Sequence, residues 1–167
     1  MHARRLCLLL CVLVFAGASE AGAQWKKHSY PADRFEVEFS DTIQVTPTAI
    51  NAETKKRVVR ATDYMQGGGS YAYMVGAALL RNPVNFDAGV KGSFGKLNCK
   101  TITVDRPLTF AGGIAREMRG EDCDGLRAEG RYFATGNWFF QVFYLIQKNG
   151  DVASAQHFLH SFKVIGK

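Results

Sequence analysis

The sequence predicts an α+β domain, an αβα sandwich built on a mostly antiparallel central sheet. Three observations carry that expectation. From Phe35 onward, much of the chain alternates apolar and polar residues between Gly-containing reversals, the period of half-buried strands. Two segments, Tyr71–Leu80 and Trp138–Ile146, are apolar at both odd and even positions, as strands covered on both faces are. Segments of helical periodicity after Asp87 and after Asp151 are available to supply those covers.

The first 23 residues are read apart from the fold. Arg4 and Arg5 precede an apolar run from Leu6 to Ala16, and Ala21-Gly22-Ala23 places small residues at the −3 and −1 positions of a cleavage site. This is the pattern of a secretory signal peptide cut between Ala23 and Gln24. Ser19-Glu20 end the apolar run short of the roughly 18–20 residues that a membrane anchor needs. Leu10 before Cys11 is larger than the residue that usually precedes a lipid-modified cysteine. The expectation is an exported protein, periplasmic or secreted, whose residues 24–167 form one domain with no transmembrane span. The chain of 167 residues is 47% hydrophobic and 22% charged, which excludes disordered and low-complexity classes. A chain of this size builds one core rather than two.

Cleavage removes Cys7 and Cys11 and leaves Cys99 and Cys123. Two thiols in an exported protein are expected to form one disulfide; two buried thiols are the alternative. A C-x-x-C redox motif is missing, and a structural zinc site needs about four clustered ligands.

The elements follow in chain order. Phe35, Val37 and Phe39 point one way and Glu36 and Glu38 the other, giving a strand with one wet face. A weaker strand runs from Thr42 to Thr46 and stops at Pro47, and a short helix is expected near 48–55. Arg57–Gln66 and Tyr71–Leu80 form a hairpin around Gly67-Gly68-Gly69. Asp87 caps a helix from Ala88 to about Leu97, weakened at Gly89, Gly92 and Gly95 by roughly 1 kcal/mol each relative to Ala. Strands are expected near 100–110, 113–119, 125–134 and 137–147, with reversals at Gly112-Gly113, at an acidic turn over Glu121–Gly125 and at Thr135-Gly136-Asn137. Leu126–Ala134 carries Arg127, Glu129 and Arg131 on one face, which places it near an edge or an open patch. Asp151 caps a final helix to about Lys163, with Val152, Ala155, Phe158, Leu159 and Phe162 on one stripe.

The order of these packing motifs resembles that of the PsbP/Mog-like superfamily of small exported bacterial proteins. The resemblance rests on Trp25, Tyr30 and the Phe35–Phe39 entry, Val104–Leu108, Gly113–Glu117, Gly136–Tyr144 and the closing His157–Lys163 segment. It departs at Ser40, where the pattern after the first strand has proline. The resemblance covers most of residues 25–165 and implies a module that binds other proteins; it transfers no catalytic residue.

No G-x-S-x-G, H-E-x-x-H, phosphate-loop or dinucleotide motif occurs, so the sequence assigns no catalytic residue, metal ligand or cofactor. Gly67-Gly68-Gly69 lacks the following Lys-Ser/Thr and reads as a turn. Arg116 and Glu117 alternate across one strand and read as two lone sheet charges. His157 and His160 read as surface residues. The net charge is +6, and Lys26-Lys27 together with Lys55, Lys56, Arg57 and Arg60 form basic clusters suited to an anionic partner. Nucleic acid calls for a larger charge and a recognisable module. The expected function is therefore a non-catalytic envelope accessory or protein-binding module, meeting another envelope protein or an anionic surface. A carrier of a small apolar ligand, or an unrecognised enzyme, is the alternative.

Overall fold

The structure is a computed structural model that describes residues 24–83 and 85–166; the expected signal peptide lies outside the described residues. Two antiparallel sheets make up most of it. The smaller contains β1 (Lys26–Tyr30), β2 (Phe35–Phe39) and β10 (Lys163–Val164), in the order β1-β2-β10. The larger contains β3 (Gln44–Pro47), β4 (Val58–Gly68), β5 (Tyr71–Leu80), β6 (Cys99–Leu108), β7 (Ile114–Cys123), β8 (Leu126–Thr135) and β9 (Trp138–Gln147). Its strand order is β3-β4-β5-β9-β8-β7-β6. The α-helices are α1 (Ala52–Lys55), α2 (Phe86–Phe94) and α3 (Val152–Ser161).

This corrects the expected αβα sandwich: the molecule is mostly β, and the main cover over one face of the large sheet includes a second sheet. The physical reason lies in β1 and β10. Lys26–Tyr30 has no apolar alternation, and Lys163–Val164 is too short to show any period, yet both pair with β2 in register. The final helix also ends earlier than expected, because Phe162 is already extended (φ −67°, ψ 132°) and leads into β10. The middle helix begins at Phe86 and gives way to a 3-10 turn over Gly95–Leu97. Asn85, rather than Asp87, caps it, its side-chain oxygen accepting from the Ala88 N–H at 3.2 Å.

The large sheet is two antiparallel ribbons joined side by side. β4 and β5 form one hairpin; the chain then passes through α2 to the far edge and returns through β6, β7, β8 and β9. β9 meets β5 with Val142 opposite Val75 and Tyr144 opposite Tyr73, which makes β9 the middle strand. The β4–β5, β7–β8 and β8–β9 turns take two residues each, Gly69-Ser70, Asp124-Gly125 and Gly136-Asn137, and glycine relieves the tight backbone.

The two faces are covered differently. On the first, Phe35, Val37 and Phe39 of β2 and Ala155, Phe158 and Leu159 of α3 pack on Tyr73, Val75, Phe140, Val142 and Ile146. Phe158 is fully buried, 5.1 Å from Tyr73 and 5.3 Å from Phe39 between ring centroids. On the second, Val90 and Phe94 of α2 pack with Met118, Cys123, Ala128 and Tyr132 of β7 and β8.

The expected disulfide is present. Cys99 and Cys123 stand opposite each other in register, their Cα atoms 3.7 Å apart. Gly120 makes room for it, since a Cβ there would lie 2.6 Å from the Cys99 sulfur. The bond fits an oxidising compartment. Among the described residues no helix is long and apolar enough to cross a membrane.

Candidate functional site

The covering of the second face leaves a groove. Phe86, Val90 and Phe94 anchor α2, while Ala88, Gly89, Gly92, Ser93 and, one turn on, Lys96 line the cavity beside it. These positions are spaced so that they fall on one helical stripe. Across from them lie Met74, Gly76 and Ala78 of β5 and Phe139, Gln141 and Phe143 of β9. The cavity so formed measures about 580 Å³. It adjoins a second lobe of about 430 Å³, also lined by Ala88 and Gly89, that continues to Val58, Leu80, Pro83 and Arg57. Cavities of a few hundred cubic ångströms, mostly apolar with a few polar groups, are the usual dimensions of small-ligand sites.

Local sequence sets the shape of both walls. Gly76 leaves space that the Gln141 side chain occupies; a Cβ at 76 would lie 2.5 Å from the Gln141 amide nitrogen. The Gln141 carbonyl oxygen accepts from the Ser93 hydroxyl and ties α2 to β9. On the helix side, a Cβ added at Gly92 meets nothing within 4 Å, so the missing side chain leaves open space. Asp63, in the wall formed by β4, accepts from the Thr48 hydroxyl at 2.8 Å. Ser93 donates to an amide, and Asp63 and Lys96 are the charged side chains of this lining.

The charged side chains singled out on β7 and β8, Arg116 excepted, gather on the first face, beside α3. They do not form the lone charges or open edge expected from the sequence. Glu129 is only 1% exposed, and its Oε2 accepts from Arg119 at 2.8 Å and from Tyr144 and Gln156 at 2.9 Å. Burial opposes ionisation of Glu129, but hydrogen bonds from Arg119, Gln156 and Tyr144 outweigh it and hold its carboxyl below the ordinary glutamate range. The Tyr144 hydroxyl is pushed up to about 12, by burial and then by the Glu129 charge. Glu117, 3% exposed, accepts from Arg106 through two nitrogens at 3.0 and 2.8 Å. Arg116 pairs on the opposite face with Asp105 and Asp87. β8 lies next to the middle strand rather than at an edge, because its charges are compensated by neighbours from three other elements.

His157 and His160 sit on the exposed side of α3, as expected, and each has a partner: His157 lies 2.7 Å from Glu38, and His160 bridges Arg131 and the Gln156 carbonyl. Among the described residues no group of three or more His, Cys, Asp or Glu is placed to hold a metal ion.

The four basic residues of the expected anionic-partner surface do not form one patch. Lys55, Lys56 and Arg57 stand together at the end of α1 and the entry to β4. Lys56 pairs with Glu53 at 2.7 Å, and Arg57 reaches the same carboxylate only at 3.9 Å. The Arg81 guanidinium donates to the Lys55 carbonyl at 3.1 Å, and the Arg81 N–H to the Arg57 carbonyl at 2.8 Å. Arg60 is engaged elsewhere, paired with Asp33 at 2.7 Å and lying 5.3 Å over the Trp138 ring. Of the four, only Arg57 lines the groove. The sequence reading missed the groove because it took Gly89 and Gly92 solely as weak points of a helix. The available signal was that these glycines, with Ala88 and Ser93, share one face, flanking the apolar stripe. Compared with known proteins, the chain matches no family model and no curated sequence.

Proposed function

We propose that this chain is an exported, non-catalytic binding module whose binding element is the groove between α2 and strands β4, β5 and β9, and that it carries a small, largely apolar ligand there. One observation carries the reading: α2 covers the second face over β7 and β8, while the β4-β5-β9 part of that face opens into a lined cavity of about 580 Å³. The signal-peptide pattern and the disulfide support the exported part of this reading. Its test is native mass spectrometry of the protein isolated from its own compartment. A small-molecule adduct is expected on the wild type and is lost in Gly92→Leu, whose side chain enters the open space of the groove. An adduct indifferent to that substitution overturns the reading.

A second reading, an accessory module that docks an anionic envelope partner, is favoured by the adjacency of Lys55, Lys56 and Arg57 to Arg81. Changing Lys55, Lys56 and Arg57 together to Glu then abolishes a salt-sensitive contact without lowering thermal stability, because exposed charges are screened over about 8–10 Å. Binding that ignores both salt and charge reversal rules it out.

A further inference from the structure

The groove is electrostatically uneven along its length. In the 430 Å³ lobe, Arg57 is the one charged side chain among the described lining residues, set against Val58, Leu80, Pro83 and Ala88. Its side chain is 79% exposed, at the mouth of the lobe; among the described residues its guanidinium makes no hydrogen bond and its one carboxylate neighbour, Glu53, is 3.9 Å away. The 580 Å³ lobe contains Lys96 but also Asp63, beside Met74, Phe139 and Phe143. An anionic group is therefore favoured at the Arg57 end, whereas in the other lobe the charges of Asp63 and Lys96 offset one another and Met74, Phe139 and Phe143 offer apolar surface to a hydrocarbon chain. From Asn85 to Lys96 the α2 wall and its terminal turn run for roughly 16 Å at about 1.5 Å per residue, close to the reach of an extended dodecyl chain.

We propose that the groove takes a free, single-chain anionic amphiphile, with its head at Arg57 and its hydrocarbon chain lying along Ala88, Gly89 and Gly92 toward Lys96. This rests on the binding-module reading and names the ligand class of the same site. Arg57 sets the preferred sign of the head, and the glycine face of α2 admits the chain.

The test compares laurate with dodecyltrimethylammonium, both below their micellar concentrations, by calorimetric titration of the exported protein with its disulfide intact. The wild type binds laurate at least tenfold more tightly. Arg57→Glu removes or reverses that preference, and Gly92→Leu weakens both ligands at least tenfold. Ala88→Leu, at the junction of the two lobes, repeats the second result should Gly92→Leu fold poorly. If Gly92→Leu weakens both ligands while Arg57→Glu leaves the preference unchanged, the anionic-head inference fails and the groove reading stands. If folded Gly92→Leu and Ala88→Leu bind both ligands as the wild type does, the groove reading fails as well. Association with anionic phospholipid vesicles, without binding of monomeric laurate, also overturns the inference.

Discussion

On the face that carries the small sheet, strands β4, β5 and β9 present Tyr64, Tyr73, Val75, Phe140 and Val142, sealed by β2 and α3. On the same face β7 and β8 present Glu117, Arg119 and Glu129, with Arg106 reaching in from β6, in hydrogen-bonded ion pairs. The opposite face inverts the arrangement. There β7 and β8 are packed apolar under α2, and β4, β5 and β9 border the open groove. Each half of the sheet thus has its main hydrophobic closure on one side, and the two closures lie on opposite sides. A sheet held this way keeps its strands ordered while leaving one polar and one recessed surface.

The comparison breaks most readily on the aromatic side. Phe158→Ala removes a fully buried ring between Phe39 and Tyr73 and is expected to destabilise by about 3–5 kcal/mol, read as a lower denaturant midpoint at unchanged slope. A loss under 1 kcal/mol would show that the small sheet and α3 do not seal that half.

In the other half, the disulfide holds edge strand β6 to β7. Its removal, by changing Cys99 and Cys123 to Ser, is expected to cost about 3 kcal/mol for a loop of this length. The increase in amide exchange should concentrate in β6 and β7 and spare β4 and β5.

The ionic closure comes next. Glu129→Gln leaves Arg119 without its full partner and should cost about 1–3 kcal/mol. Because the folded protein holds the Glu129 carboxyl below its ordinary range, the contribution is complete at neutral pH. It is lost as pH falls below about 4.3 and through the lower folded value. An acid titration of stability should therefore be shallower in Glu129→Gln than in the wild type; parallel curves would remove Glu129 from the account.

The smallest effect sharpens the contrast at the groove. Gly92→Ala adds a methyl that meets no neighbour and relieves the backbone entropy of a helical glycine. It should raise stability by up to about 1 kcal/mol, seen as a higher melting temperature, whereas a loss would mean that α2 sits closer to the sheet than described.

Much of the architecture was legible residue by residue. The two-sided apolar character of Trp138–Ile146 marks the strand that stands in the middle of the sheet, and the stripe of Ala155, Phe158 and Leu159 marks a buried helix face. Cys99 and Cys123 were legible as a pair, and Arg57 as a residue with a charge to offer. The groove was not legible, because a cavity belongs to two walls: Gly92 and Ser93 on α2 acquire meaning only opposite Gly76 and Gln141.

The sequence by itself determined where most of the large sheet's strands and the two longer helices lie, because 2.0- and 3.6-residue periods and turn chemistry are properties of neighbouring residues. Only the tertiary structure decided that Lys26–Tyr30 is a strand, that Glu129 is buried and that α2 leaves part of a face open. β10 pairs with β2, and Ser161 accepts from the Glu38 N–H 123 residues away. Glu129 is held by Arg119, Tyr144 and Gln156 from three different elements. Such pairings compensate charge and satisfy backbone groups between distant segments, and no local pattern in the chain records them.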